Sequence, residues 1–362
     1  MKKIIYSVMF IFLIGNVNAN EVLLQTQQDV DYYGQAGYSW FPGSVRINTY
    51  AGQDSSTMIT DLSPLLVFDS IAGGLTIQNT ILTNLHGLEN LKVGYNIHVY
   101  ENAELVDATA LSLSGKFTSL EFRYNPKLKV LPSTENFLKL GPIVIENNPQ
   151  LEGVDLILKG SASSISIREN NNLENISIHD DSSWKMRFDI GFNNSLQRIL
   201  IKTESDSIFR ETITDNPKLE FIEGYGKVHR IDFVRIERNS SLNKLCHLQN
   251  VLNRQGVFFM TLNSNGSHAN SEADILATDC SDFNTSVAEV SNVNLNIYPN
   301  PAKNEVFVKD IIQPTLYVIY DMSGKQITQG TVTLSGRIGL ELVISGMYIL
   351  KIGNQHSKLL VE

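Results

Sequence analysis

Ser119-Leu-Glu-Phe-Arg-Tyr-Asn-Pro-Lys-Leu128 carries the phrase that decides the fold: an apolar alternation, then an Asn, then a Leu three residues on. The phrase returns as Asn102-Ala-Glu-Leu105, Asn125-Pro-Lys-Leu128, Asn148-Pro-Gln-Leu151, Asn170-Asn-Asn-Leu173, Asn193-Asn-Ser-Leu196, Asn216-Pro-Lys-Leu219 and Asn239-Ser-Ser-Leu242. Asn79-Thr-Ile-Leu82 opens the series with one residue fewer between strand and Asn. Successive Asn positions lie 23, 23, 23, 22, 23, 23 and 23 residues apart. A fixed period of that length is the signature of a solenoid.

Each copy divides its labour in the same way. Ahead of the Asn stand Ile97/Val99, Leu120/Phe122, Ile143/Ile145, Ile165/Ile167, Phe188/Ile190 and Val234/Ile236, the period-two pattern of a strand with one buried face. One strand per repeat is expected. The Asn then turns the chain, since its side chain can hydrogen-bond turn backbone and tolerates left-handed geometry, and stacked copies predict an asparagine ladder. Pro126, Pro149 and Pro217 forbid continuation of the strand. The Leu, and a later apolar residue such as Leu131, Val154, Ile176, Ile199, Ile222 or Leu245, return to the core. No repeat buries its face alone, so the copies must stack. Eight regular coils would form a rod about 40 Å long.

At the start of the sequence, Lys2 and Lys3 precede an apolar run from Ile4 to Ile14 and then Val17-Asn18-Ala19. This is the pattern of a secretory signal peptide over residues 1–19, and the run is too short to span a bilayer comfortably. No later stretch reaches membrane-spanning length, so no integral membrane segment is expected in the mature chain. Loss of the two lysines takes the formal charge from −9 to −11, which disfavours nucleic acid and anionic lipid as partners.

A length of 362 residues with 42% hydrophobic content allows more than one domain. Residues 20–74 are the least regular, with Tyr32, Tyr33, Tyr38 and Trp40 among glycines. Val45/Ile47, Ile59 and Leu62 resemble a degenerate coil, interrupted by an insert from Ala51 to Ser56, in a cap over the end of the array. The solenoid and its second cap fill 75–280. The two cysteines, Cys246 and Cys280, are the only ones in the chain, and in an exported protein a disulfide between them is expected. Its closure would stabilise that end by about 3 to 4 kcal/mol in the chain-entropy picture. Residues 281–292 are short and polar and read as a linker. Over 293–362, seven short runs (Leu295 to Tyr298, Glu305 to Val308, Leu316 to Tyr320, Gln326 to Gln329, Arg337 to Leu340, Met347 to Ile352, Lys358 to Val361) predict a small all-β sandwich.

Ile297-Tyr-Pro-Asn-Pro-Ala302, Val318-Ile-Tyr-Asp-Met-Ser-Gly-Lys325, Gly346-Met-Tyr-Ile-Leu-Lys351 and Lys358-Leu-Leu-Val361 together closely resemble the C-terminal sorting domain of the bacterial type IX secretion system, in its type A form. The residues carrying the signature are Pro299, Asn300, Pro301, Asp321, Gly324, Lys325, Gly346, Tyr348 and Lys351. The resemblance implies a host among the Bacteroidota and export through the periplasm, with the type IX machinery as partner. It also implies removal of the domain as the protein is released or joined to surface lipopolysaccharide. The repeats are similar to leucine-rich, receptor L-domain-like solenoids often joined to such domains, in which the array closes with a Cys-x-Leu segment and a later Cys, as with Cys246-His-Leu248 and Cys280. Pro is missing after Asn102, Asn170, Asn193 and Asn239, and the alternation is weak at Glu211/Ile213. The fold expected is therefore all-β: a right-handed β-solenoid of leucine-rich-repeat type with coils of about 23 residues, followed by a small Ig-like β-sandwich.

Outward positions two residues before the Asn run Tyr100, Arg123, Glu146, Arg168, Gly191, Thr214, Glu237, and four before it His98, Glu121, Val144, Ser166, Asp189, Thr212, Arg235. Tyr100, Arg123, Glu146 and Arg168, with His98 and Glu121 beside them, are the candidate ligand-binding residues: an aromatic plate among polar groups suits a glycan or a polar protein surface. Opposite charges on adjacent strands also stabilise a solvated sheet with no ligand at all. Carboxylates on neighbouring coils could alternatively belong to a polysaccharide lyase or hydrolase. His179-Asp180-Asp181 falls where a solvated turn is expected and lacks a second histidine at metal spacing. No nucleophile elbow, metalloprotease helix or phosphate loop is present in the sequence. The expectation is a secreted or outer-membrane-surface protein that binds an extracellular protein or glycan, with no catalytic residues, cofactor or metal. A polysaccharide-active enzyme and a structural spacer are the alternatives.

Overall fold

A computed structural model describes residues 21–49, 54–111, 115–116, 118–134, 137–139, 141–160, 162–182, 185–280, 297–308, 315–321, 325–333, 336–340, 343–352 and 355–362. The expected signal peptide with its cleavage site after Ala19, the first half of the Ala51 to Ser56 insert, the expected 281–292 linker and Gly324 lie outside the described residues. The chain divides into two compact units, Met1–Thr285 and Ser286–Glu362.

Strands dominate the first unit because nearly every coil repeats the same alternation. Eleven of them form one sheet in chain order: Glu21–Leu24, Ser44–Asn48, Leu75–Gln78, Asn96–Tyr100, Ser119–Arg123, Pro142–Glu146, Ser164–Arg168, Arg187–Gly191, Ser207–Thr214, Arg230–Glu237 and Val257–Asn263. All neighbours are parallel. At about 4.8 Å per strand this sheet runs for about 48 Å. It exceeds the eight expected coils because residues 21–74 supply the first two strands and Val257–Asn263 adds one beyond the last Asn repeat. Ile97, Val99, Leu120, Phe122, Ile143, Ile145, Ile165, Ile167, Phe188, Ile190, Val234 and Ile236 are all buried.

One strand per coil proves too few. Gly153–Leu158, Asn175–Asp180, Arg198–Thr203 and Phe221–Gly224 form a second parallel sheet, and its inward residues Val154, Leu156, Ile176, Ile178, Ile199, Ile201 and Ile222 share one core with the first. These residues do re-enter the core, but as a second alternation rather than as isolated anchors.

Asn102, Asn125, Asn148, Asn170, Asn193, Asn216 and Asn239 stand in a single fully buried column. Each side-chain amide donates to a backbone carbonyl of the preceding coil and most also to one of their own coil, as Asn125 does to Val99 O and Arg123 O at 3.0 Å. Each side-chain oxygen accepts from the Asn of the coil before it, as Asn125 Oδ1 does from Asn102 N at 3.2 Å and Asn102 Nδ2 at 3.0 Å. In the first of the eight repeats the ladder position is Thr80, not Asn79: Thr80 donates through N and Oγ1 to Asn102 Oδ1 at 3.1 and 2.7 Å. The far end closes on Asn265, whose Oδ1 accepts from Asn239. Left-handed geometry falls one residue earlier than expected, at Asn79, Glu101, Tyr124, Asn147, Glu169, Phe192, Asp215 and Arg238, with φ between 53° and 60°. The left-handed residue is exposed or half-buried, and the Asn behind it ties off the turn.

Both ends of the array carry helix. Gln27–Gln35 begins with a capping box in which Thr26 and Asp29 bond reciprocally. At the other end lie Cys246–Asn253 and Glu272–Ala277, and Cys246 is bonded to Cys280. The weak alternation at Glu211 has a physical partner set. Glu211 points inward with no exposure, its Oε1 accepts from the Tyr225 hydroxyl at 3.0 Å, and His247 Nε2 of the cap helix lies 3.0 Å from the same oxygen.

The second unit holds two antiparallel sheets: Ile297–Tyr298, Glu305–Val308 and Arg337–Gly339 in one, and Gln326–Val332, Thr315–Asp321, Gly346–Ile352 and Gln355–Val361 in the other. Val306, Val308 and Ile338 from the first share a core with Ile319, Leu350, Ile352, Leu359 and Val361 from the second.

Candidate functional site

Alternate residues of the eleven-stranded sheet face out, and the parallel register lines them up from coil to coil. Tyr100 stands opposite Arg123, Arg123 opposite Glu146, Glu146 opposite Arg168, and His98 opposite Glu121. The six candidate residues are thus neighbours on one face. Most of their charge is already spent internally. Arg123 Nη1 donates to Glu146 Oε2 at 3.1 Å, and Arg123 Nε lies 3.0 Å from Glu121 Oε2 as an ion pair without hydrogen-bond alignment. His98 Nε2 sits 3.6 Å from Glu121 Oε1 and 3.0 Å from Ser119 Oγ. Burial pushes the His98 imidazole below its usual value, the Glu121 charge opposes that, and Arg123 reinforces it. Arg168 pairs with Asp189 on the next strand rather than with Glu146.

From Arg168 onward the face changes character. A groove of about 620 Å³ is lined by Arg168, Arg187, Arg210, Arg235 and Arg238, with Phe192, Phe233, Asp189, Asp215 and the hydroxyls of Ser164, Ser166, Thr212 and Thr214. Gly191 lets the neighbouring strand come close: a Cβ there would stand 2.9 Å from Thr214 O and 3.2 Å from Thr214 Oγ1. Guanidinium groups lie over rings, Arg168 over Phe192 at 4.9 Å and Arg210 over Phe233 at 5.0 Å, and the Phe233 and Phe259 rings stack 5.0 Å apart. Arg238 holds Asp215 in a two-pronged pair at 2.6 and 2.7 Å, which lowers the Asp215 pKa. Arg235 and Arg238 both donate to Glu237, the Arg235 bonds being the larger reason its carboxyl is held below the usual range.

Apart from Arg168, this groove escapes the candidate set read from the sequence. The signal lay one step further along each strand: six residues before the ladder Asn stand Arg187, Arg210 and Phe233, which pair in register across three strands. The left-handed residue before each Asn supplies Phe192, Asp215 and Arg238.

His179 and Asp180 end the strand Asn175–Asp180 of the second sheet instead of forming a solvated turn. Asp180 is buried, accepting from Ser182 N at 3.1 Å and Thr203 Oγ1 at 2.9 Å, and burial raises its pKa. In the C-terminal unit the sorting residues are hydrogen-bonding nodes. Asn300 brackets the last strand, donating to Lys358 O and accepting from Leu360 N, both at 2.8 Å. Asp321 Oδ1 accepts from Lys325 N at 3.0 Å, and the Tyr348 hydroxyl donates to Ile344 O at 2.8 Å. Gly346 packs against the Tyr348 ring, where a Cβ would meet ring atoms at 3.3 Å. Pro299 and Pro301 flank Asn300, and Lys351 is exposed on the Gly346–Ile352 strand.

Residues 296–362 match the family described as the secretion system C-terminal sorting domain. No curated protein and no solved structure matches the chain. The C-terminal segment is therefore a type IX sorting domain, the secretion machinery is a partner, and the chain is sent to the cell surface or the extracellular space. Among the described residues, no helix is long and apolar enough to cross a membrane.

Proposed function

We infer that the first unit is a noncatalytic binding module. It is a right-handed solenoid of the leucine-rich, receptor L-domain-like kind that presents the outward face of its large sheet to an extracellular protein or glycan. The sorting domain supplies its passage out of the cell, and the small C-terminal fold is of Ig-like sandwich type. The observation that carries the binding reading is the groove on that face, where arginines, rings and hydroxyls from four neighbouring strands and their turns converge. Pockets of this size with a few convergent polar groups are the usual form of ligand sites. An enzyme acting on polysaccharide needs a carboxylate able to give or take a proton beside the scissile bond. Both carboxylates lining the groove, Asp189 and Asp215, are instead engaged by Arg168 and Arg238, which favours binding over proton transfer.

The full chain, applied to arrays of surface proteins and glycans while the same glycans are assayed for new reducing or unsaturated ends, tests this reading. Retention of a ligand with no new sugar ends is expected. Release of sugar ends would make the protein an enzyme and overturn it.

A further inference from the structure

We propose that the groove takes an acidic glycan, with a carboxylate or sulfate group seated between Arg187 and Arg210. The proposal rests on the binding-face reading above and adds the chemical class of the ligand and the place where its charge is held.

The groove is basic in a chain of formal charge −9. Its five arginines outnumber Asp189, Asp215 and the adjoining Glu237. Those three carboxylates neutralise particular arginines: Arg168 pairs with Asp189, Arg235 with Glu237, and Arg238 with Asp215 and Glu237. Arg187 and Arg210 have no carboxylate partner among the described residues, and they stand directly opposite each other on adjacent parallel strands.

Like charges in directly opposed positions destabilise a sheet, the strands being only about 4.8 Å apart. Each guanidinium lies over a phenylalanine ring, Arg187 over Phe209 at 4.5 Å and Arg210 over Phe233 at 5.0 Å. Such stacking holds the planar fork in place and leaves its N–H edge free to donate to a carboxylate or sulfate. An anion bound between the two would offset the repulsion between them.

The surroundings fit a sugar better than a bare ion or a long polyanion. Ser164, Ser166, Thr212 and Thr214 offer hydroxyls that both donate and accept. Phe192, about two-fifths exposed, offers a ring against which a pyranose can rest. The acidic remainder of the chain repels a duplex nucleic acid or an anionic membrane, whereas a short acidic segment in the groove meets mainly the arginines.

The test is titration of the full chain with heparin oligosaccharides, polygalacturonate oligosaccharides and neutral dextran at low and moderate salt, repeated with the R187Q/R210Q double variant. At least one acidic probe should bind, more weakly at higher salt, and dextran should not. The double variant should lose tenfold or more in affinity while its unfolding midpoint stays level or rises, because removing opposed like charges relieves repulsion. The double Arg→Lys variant, which keeps the charge without the fork, should fall between the two. Unchanged affinity in R187Q/R210Q overturns the proposal. So does failure of both acidic probes to bind, or selective binding of a phosphorylated peptide in their place. If a neutral glycan or a protein then binds the same face, the module remains a binder and only the ligand class is refuted; release of sugar ends instead refutes the binding reading itself.

Discussion

Asn170 shows how much one buried amide can hold. Its Nδ2 donates to Ile145 O and Arg168 O at 2.9 Å, and its Oδ1 accepts from Asn148 N at 3.0 Å. An Asn→Ala substitution at 170 takes the side-chain partner from Ile145 O and Asn148 N, at about 1 kcal/mol or more each, whereas Arg168 O still accepts from Asn147 N at 3.1 Å. The expected loss is at least about 2 kcal/mol in denaturant unfolding, and a loss near zero would mean that water or backbone movement replaces the ladder. The column was legible because its spacing is fixed by the coil length. Its start at Thr80 was not, since a threonine hydroxyl does the work of the amide without matching the repeated letter. The left-handed residues were equally hidden: Glu101, Tyr124, Glu169 and Phe192 share no chemistry, only a place before the Asn. The groove was missed for a different reason. Arg187 and Arg210 lie beyond the two outward positions nearest the Asn, and only the pairing of strands reveals that they face each other.

At the scale of elements, the large sheet announced itself through a strict alternation followed by a fixed turn residue. The second sheet carries the same signal in Val154/Leu156/Leu158 and Ile176/Ile178, but without a repeated turn residue to frame it. Glu211 was visible as a break in the pattern, whereas its partners Tyr225 and His247 are 14 and 36 residues away and only folding brings them in. The cluster fastens the cap helix Cys246–Asn253 to the array beside the disulfide. Burial, then the neighbouring Glu211, raises the Tyr225 pKa well above its usual value, so its hydroxyl stays a donor throughout the physiological range. Removing one member of a buried hydrogen-bonded pair costs more than replacing the whole set with apolar groups. Glu211→Leu alone should therefore destabilise by about 3 kcal/mol or more. A triple variant with Tyr225→Phe and His247→Leu should recover much of that loss. Equal destabilisation of the single and triple variants would show that shape, rather than unpaired polarity, governs the site.

For the whole molecule, the two units divide folding from address. Each has its own hydrophobic core, one drawn from residues between Val22 and Ile275 and the other from residues between Ala302 and Val361, so neither needs the other to exclude water from its interior. Among the residues that define the sorting signature, Asn300 fixes the last strand of the second unit through Lys358 and Leu360, and Gly346 packs against Tyr348 on the strand before it. Deleting Val293 to Glu362 should leave the first unit folded, with Cys246 and Cys280 joined, but held in the periplasm. Cell fractionation with a protease-accessibility assay distinguishes the outcomes. A truncated chain that reaches the cell surface at the normal level would show that export information lies in the first unit, and the sorting domain would then be a retained anchor instead of an address.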